Sequence, residues 1–297
     1  MAVARDVRTL EEIFTDARVK GFLYAQDLDT GREVAHNADE PVVLASVFKV
    51  AVLVELYRRA AAGDLDVTDR IRIPVSTRTV GPTGLSVMRD DVELSLRDLA
   101  QLMISVSDNT ATDVLMARLG PQRIQATVEA LGLTDTDVTG SCEVILRAYR
   151  EDTGLTWEEL AAGRQPDLAS YETNRALHPL TTTNRSTPRQ WAKLLRAIWL
   201  DEAAPAEACA EMRAILKTQV WPHRLSSGFG DEASIGAKTG TLTGIRNEAG
   251  VVELKGGGRY AVCVFTRSFD WLPMKQLEAD LVIGTAGRAA VEALRAG

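Results

Sequence analysis

From Ser46 the chain runs SVFKVAVLVELYRRAAAG, in which Val47, Phe48, Val50, Ala51, Val52, Leu53, Val54, Leu56 and Tyr57 leave almost no polar face. A helix apolar nearly all round is a buried one, with Ser46 at its first turn as a cap and Gly63 as its stop. Upstream, Val7, Leu10, Ile13, Phe14 and Ala17 keep helical spacing over residues 7 to 18, and GFLYAQDLDTGREVAHNA reads as a hairpin turning at Asp29-Thr30-Gly31. Beyond Gly63 a loop-rich stretch carries the breakers Gly81-Pro82 and Thr83-Gly84. Three helices follow: LRDLAQLMIS capped by Ser95, TATDVLMARLG, and PQRIQATVEALG with its proline in the first turn. Residues 134 to 186 are polar and irregular, apart from a capping box at Thr156-Trp157-Glu158-Glu159 that predicts a short helix. Thr187-Pro188-Arg189-Gln190 starts WAKLLRAIWL, and AEACAEMRAILKTQ is one more helix. From Ser234 the pattern changes to strands, IGAKTG and then RNEAGVVELKGGGRYAVCVFTR with a hairpin turn at residues 255 to 258, before a terminal helix in MKQLEADLVIGTAGRAAVEALRAG. Helix and strands at both ends thus bracket a mostly helical middle, with no repeat and no linker between them.

Composition narrows the partners. The chain has 297 residues, enough to bury a full core without staples, and its net charge of -7 argues against nucleic acid or an anionic membrane surface. Cys142, Cys209 and Cys263 are odd in number and widely spaced, which reads as buried free thiols rather than a disulfide framework or a zinc site. The N-terminal MAVARDVRTLEEIF lacks the basic start, apolar run and cleavage site of a secretory signal, and no apolar run reaches membrane-spanning length. A cytoplasmic location is the expectation.

Candidate chemistry begins with Lys49. It follows Ser46 by three residues, on the same helix face, inside an apolar helix. Desolvation lowers the pKa of an ammonium, so such a lysine can act as base toward a neighbouring hydroxyl. Ser46-x-x-Lys49, Ser107-Asp108-Asn109 and Lys238-Thr239-Gly240 each occur once and in that order. The first opens a buried helix, the second lies just past a helix end, and the third sits on a strand before a hairpin. In this trio the chain resembles the class A β-lactamase-related serine hydrolases, within the serine β-lactamase and penicillin-binding-protein superfamily.

The resemblance implies an α/β (α+β) fold of one domain, an antiparallel sheet flanked by helices plus an all-helical subdomain. The α/β layer would come from about residues 1 to 45 and 220 to 297, the helical layer from about 46 to 219, with an enlarged loop over 134 to 186. It further implies that Ser46 Oγ attacks a carbonyl and forms an acyl-enzyme, while Lys49 takes the serine proton directly or through water. Ser107 would relay a proton to the leaving nitrogen, and Asn109 would position the substrate amide and Lys49. Lys238, Thr239, Gly240 and Thr241 would hold a substrate carboxylate, with Arg246 as a second anchor, and the N–H groups of Ser46 and Thr241 would form the oxyanion hole. Asp108 reads as a brace for its loop.

For deacylation, class A enzymes place a glutamate on the loop before the Thr-Pro helix start. Here that loop is about two dozen residues longer than the family pattern. Glu172 in Tyr171-Glu172-Thr173-Asn174 is its closest match, with Glu143, Glu158 and Glu159 as rivals. The expected activity is β-lactam or amide hydrolysis on a small molecule bearing a carboxylate, with no metal or cofactor. Alternatives are an intracellular amidase, esterase or acyltransferase on another metabolite, and a penicillin-binding or sensing protein that acylates without efficient turnover.

His36, His178 and His223 read as ordinary surface histidines, without ligand spacing for a metal. No G-x-S-x-G elbow is present, Trp191 and Trp199 read as core, and Gly256 to Gly258 as a hairpin turn.

Overall fold

A computed structural model describes residues 8–162, 164, 166–182, 184–268 and 277–296. Val7 of the first expected helix and the Met274-Lys275-Gln276 start of the last one lie outside the described residues. The chain opens with α1 (Leu10–Asp16), whose Thr9 and Glu12 close a capping box, then β1 (Val19–Asp27), β2 (Glu33–His36) and β3 (Val42–Val43). A 3-10 turn over Ala45–Phe48 leads into α2 (Lys49–Ala61), which is followed by β4 (Arg70–Ile73) and β5 (Val92–Ser95). The helical middle holds α3 (Leu96–Ser105), α4 (Asn109–Leu119) and α5 (Pro121–Ala130). The long polar segment is not bare loop. It carries β6 (Asp137–Val138), α6 (Cys142–Thr153), α7 (Trp157–Ala161), α8 (Leu168–Thr173) and β7 (Asn184–Ser186). Then come α9 (Pro188–Trp199), α10 (Ala206–Leu216), β8 (Ala233–Leu242), β9 (Ile245–Leu254), β10 (Arg259–Ser268) and α11 (Leu277–Ala296).

One antiparallel sheet in the order β2-β1-β10-β9-β8 joins the two ends of the chain, with Val19 of β1 opposite Ser268 of β10. Successive side chains point to opposite faces of the sheet, so a strand covered on both sides buries nearly every position, as β10 does. In β10, Tyr260, Val262 and Val264 face α1 and α11, while Ala261, Cys263 and Phe265 face the helical layer. Both faces are covered. On the second face Trp191 of α9 is fully buried, and Trp191→Ala is expected to cost about 3–5 kcal/mol. A urea titration checks this; a loss below about 1 kcal/mol would mean that neighbouring side chains refill the space.

The helical layer is organised around α2, whose residues Lys49 to Tyr57 are all buried. The helix starts at Lys49, not at Ser46, and no side-chain hydrogen bond caps it. The serine hydroxyl therefore stays out of capping. Two ties close the base of the long segment: β6 pairs with β7, and the Asn184 side chain donates to Gly140 O at 2.6 Å while accepting from Gly140 N at 2.9 Å. Among the described residues no helix is long and apolar enough to cross a membrane.

Candidate active site

Ser46 is half-buried in its 3-10 turn, directly after Ala45, whose φ is +46°. A left-handed conformation in a residue with a Cβ costs energy and persists only where its surroundings enforce it. Here Asn247 on β9 donates to Val43 O at 2.8 Å and Leu44 O at 3.2 Å, fixing the chain ahead of the turn. Strand β8 approaches so closely that a Cβ at Gly240 would lie 2.6 Å from Leu44 O. Only glycine lets the strand reach the nucleophile's turn.

The second motif meets the first through Lys49. Its Nζ donates to Ser107 O at 2.8 Å, to Asn109 Oδ1 at 2.9 Å and to Ser107 Oγ at 3.3 Å. Ser107 itself has a φ of +61°, and the residues around it are clamped by Asp108. That fully buried carboxylate accepts from Ala111 N at 3.0 Å, capping α4, and from Leu85 N at 2.6 Å, pinning the loop opposite. Asp108 is a brace.

Burial pulls the Lys49 pKa below that of an ordinary lysine, against the opposing pull of Cys142, Asp108 and Asp113. Lys238 on β8 is equally buried and is pushed well down, first by desolvation and then by the charges of Lys49 and Arg224. Its amine donates to Thr239 O at 2.9 Å. Beside it, Glu248 is raised by desolvation and accepts from Gln219 and from Leu225 N.

A cavity of about 300 Å3 gathers Ser46, Ser107, Asn109, Thr239, Thr241 and Arg246. Among its other residues, Trp221, Arg224 and Asp280 escaped the sequence analysis. Arg224, almost fully buried, donates to Thr241 Oγ1 at 2.7 Å, to Gly240 O and Asn247 O, and to Asp280 of α11 at 2.7 Å. Arg246 donates to Leu242 O and Ile245 O, with its Nε 3.6 Å from the same Asp280 carboxylate. Trp221 lines this end of the cavity, and so does His223, which is thus not an ordinary surface histidine. Neither Arg224 nor Asp280 belongs to a periodic pattern or motif. A larger cavity of about 530 Å3, lined by Asp39, Glu129, Asp135 and Asp137 among others, contains none of the motif residues and lies away from this chemistry.

The expected deacylation base is not brought to the cleft. Glu172 is exposed on α8, makes no hydrogen bond or ion pair among the described residues, and does not line the cavity. Glu143 and Glu158 are exposed too, Glu143 in an ion pair with Arg147, and Glu159 closes the capping box of α7. Cys142, the first residue of α6, is buried and is, with Asp108 and Asp113, one of the groups whose charge would act on Lys49. Asp113 of α4 sets its place by accepting from Cys142 N at 2.7 Å, from Glu143 N at 2.9 Å and from the Thr79 hydroxyl at 2.7 Å. Burial pushes the Cys142 thiol up to about 12, so it is neutral at physiological pH.

Comparison with known proteins agrees with this geometry. The chain is 31% identical to the β-lactamase regulatory protein BlaB of Streptomyces cacaoi over 88% of its own length and 89% of that protein's. It is 27% identical to a β-lactamase of Streptomyces albus G, over 92% of this chain and 79% of that one. A solved β-lactamase structure from Sphaerobacter thermophilus superposes with a TM-score of 0.76 at 27% identity, covering 96% of both chains. A family model described as the β-lactamase enzyme family matches residues 5–294, nearly the whole length, and the chain belongs to that family.

Proposed function

We propose that this chain opens a β-lactam, or a related amide bearing a carboxylate, onto Ser46 and releases the acyl group slowly. The observation that carries the reading is the Lys49 amine, buried and hydrogen-bonded to Asn109 and Ser107 where the nucleophile and the Lys238 motif converge. Because burial favours its neutral form, Lys49 takes the Ser46 proton, directly or through water, as Oγ bonds to the carbonyl carbon. The N–H groups of Ser46 and Thr241 receive the developing oxyanion. As the carbon–nitrogen bond breaks, Ser107 passes the proton on to the leaving nitrogen. Thr239, Thr241 and the guanidinium charges of Arg224 and Arg246 hold the substrate carboxylate.

Release needs a water molecule and a base to activate it. The Cys142 thiol near Lys49 is neutral, and Glu172 is exposed, which supports a long-lived ester. Similarity to a β-lactamase regulatory protein supports the same direction. Intact-protein mass spectrometry with a penicillin and a cephalosporin tests the reading. A persistent adduct on the native chain, absent from Ser46→Ala, is expected. Many turnovers without a lasting adduct would replace slow release by β-lactamase activity. No adduct with either drug would remove β-lactam acylation of Ser46 altogether.

Acidity gives a second check. Protonating Lys49 removes the base, so the acylation rate is expected to rise with pH and to level off below about 10.4, the value of an ordinary lysine. A rate that is flat across the range, measured by stopped-flow absorbance, would take Lys49 out of the proton transfer.

A further inference from the structure

A smaller cavity of about 120 Å3 lies behind one wall of the cleft, between the segment around Arg78 and Val80 and the helices α6 and α7. The two cavities share that wall. Val80 O accepts from Asn109 Nδ2 at 2.9 Å, Asn109 lines the cleft, and Pro82 and Thr83 of the same segment line it as well. Asn109 of the cleft and Val80 of the second cavity are thus within hydrogen-bond distance, so the two cavities are neighbours across this contact.

Its charge is unusual for a chain of net charge -7. Arg78, Arg147 and Arg150 line it together with the single carboxylate of Glu143. Arg147 is 3.0 Å from Glu143 and 4.0 Å from Glu151. Arg78 spends its terminal nitrogens on the carbonyls of Leu85, Met88 and Asp90, and Asp91 offsets part of its charge. Arg150 forms no ion pair among the described residues; its guanidinium sits 6.0 Å from the centre of the Trp157 ring. An aromatic face beside a guanidinium without a carboxylate partner suits a ligand that pairs a flat ring with an anion.

The geometry points to a second subsite that takes a substrate substituent carrying both an aromatic ring and a carboxylate, with the ring against Trp157 and the carboxylate at Arg150. This rests on the reading of Ser46 as the acylated nucleophile, since it assigns the acyl substituent of that substrate. The enlarged segment thereby acquires a role in substrate selection, because it contributes the helices α6 and α7 that build this wall.

Two measurements on the full chain separate the subsite from the Ser46 reading. First, phenylmalonate and the uncharged phenylacetamide are titrated while the indole N–H resonance of Trp157, assigned by its loss in Trp157→Phe, is followed. Phenylmalonate is expected to bind about fivefold more tightly, Arg150→Ala to abolish the difference and Arg150→Lys to keep part of it. Second, α-carboxybenzylpenicillin is expected to acylate Ser46 about fivefold faster than benzylpenicillin, with the ratio falling to one in Arg150→Ala. Equal binding of the two fragments, or a preference that survives Arg150→Ala, overturns the subsite. Equal acylation rates despite selective phenylmalonate binding overturn its role in substrate selection. If neither penicillin acylates while phenylmalonate still binds selectively, the anion subsite stands and the Ser46 reading falls.

Discussion

A chain carrying Cys142→Glu is expected to lose its acyl group from Ser46 about a hundredfold faster than the native chain, the scale at which a positioned general base acts. Asp113 fixes the Cys142 and Glu143 N–H groups, so the backbone at this place is already held, with the side chain buried among the groups that act on Lys49. A thiol pushed up to about 12 cannot activate water at neutral pH; a carboxylate beside the Lys49 ammonium would be ionised and could. The same pairing would raise the Lys49 pKa, so acylation at neutral pH should slow as deacylation quickens. Decay of the adduct, followed by mass spectrometry, checks the first effect, and stopped-flow absorbance the second. Cys142→Gln should leave the adduct long-lived, and Glu172→Gln should leave its lifetime unchanged. If Cys142→Glu decays no faster than Cys142→Gln, residue 142 does not command the ester.

Replacing Lys49 by methionine is expected to cut the acylation rate by about 10²–10⁴-fold without unfolding the chain. Two stability effects oppose each other. Removing a buried ammonium relieves desolvation, whereas Asn109 Oδ1 and Ser107 O lose a donor, at about 1–3 kcal/mol for each group left unsatisfied. They are similar in size, so thermal unfolding should shift little while the rate collapses. A folded Lys49→Met chain that acylates at the native rate would assign the proton transfer to another group, with Lys238 the nearest candidate.

The three motifs were legible because each is short and its chemistry depends on residue type at fixed spacing. Ser46 and Lys49 are three apart, and the buried run that follows them announces a core helix whatever lies around it. Their convergence on Lys238 could be inferred only through resemblance, since β8 reaches them by a close approach at Gly240 that no local pattern encodes. Other parts were hidden for physical reasons. Cys142 follows an ordinary serine cap, and what aims it is Asp113, on a different helix. Tyr171-Glu172-Thr173-Asn174 is the closest match to the family pattern, with its asparagine two residues too near the glutamate, and α8 carries Glu172 on the surface. Arg224 and Asp280 look like solvated charges until the fold brings α11 against the segment that holds Arg224.

The sheet is closed by pairing β1 with β10, so on that side β1 finds its partner only once residues 259 to 268 have been made. At about 5–20 residues per second, β1 and β2 wait many seconds as an unfinished edge while the helical layer forms. High contact order of this kind slows folding and exposes strands to mispairing. It also sets the order in which activity appears. Ser46 and Lys49 can settle early in α2 and its turn, but Gly240, Thr241 and the Asn247 ties to Val43 and Leu44 arrive with the β8–β9 hairpin. A nascent chain would hold Ser46 without the strand that carries Thr241, and on the proposed mechanism would be protected from acylation until β8 and β9 dock.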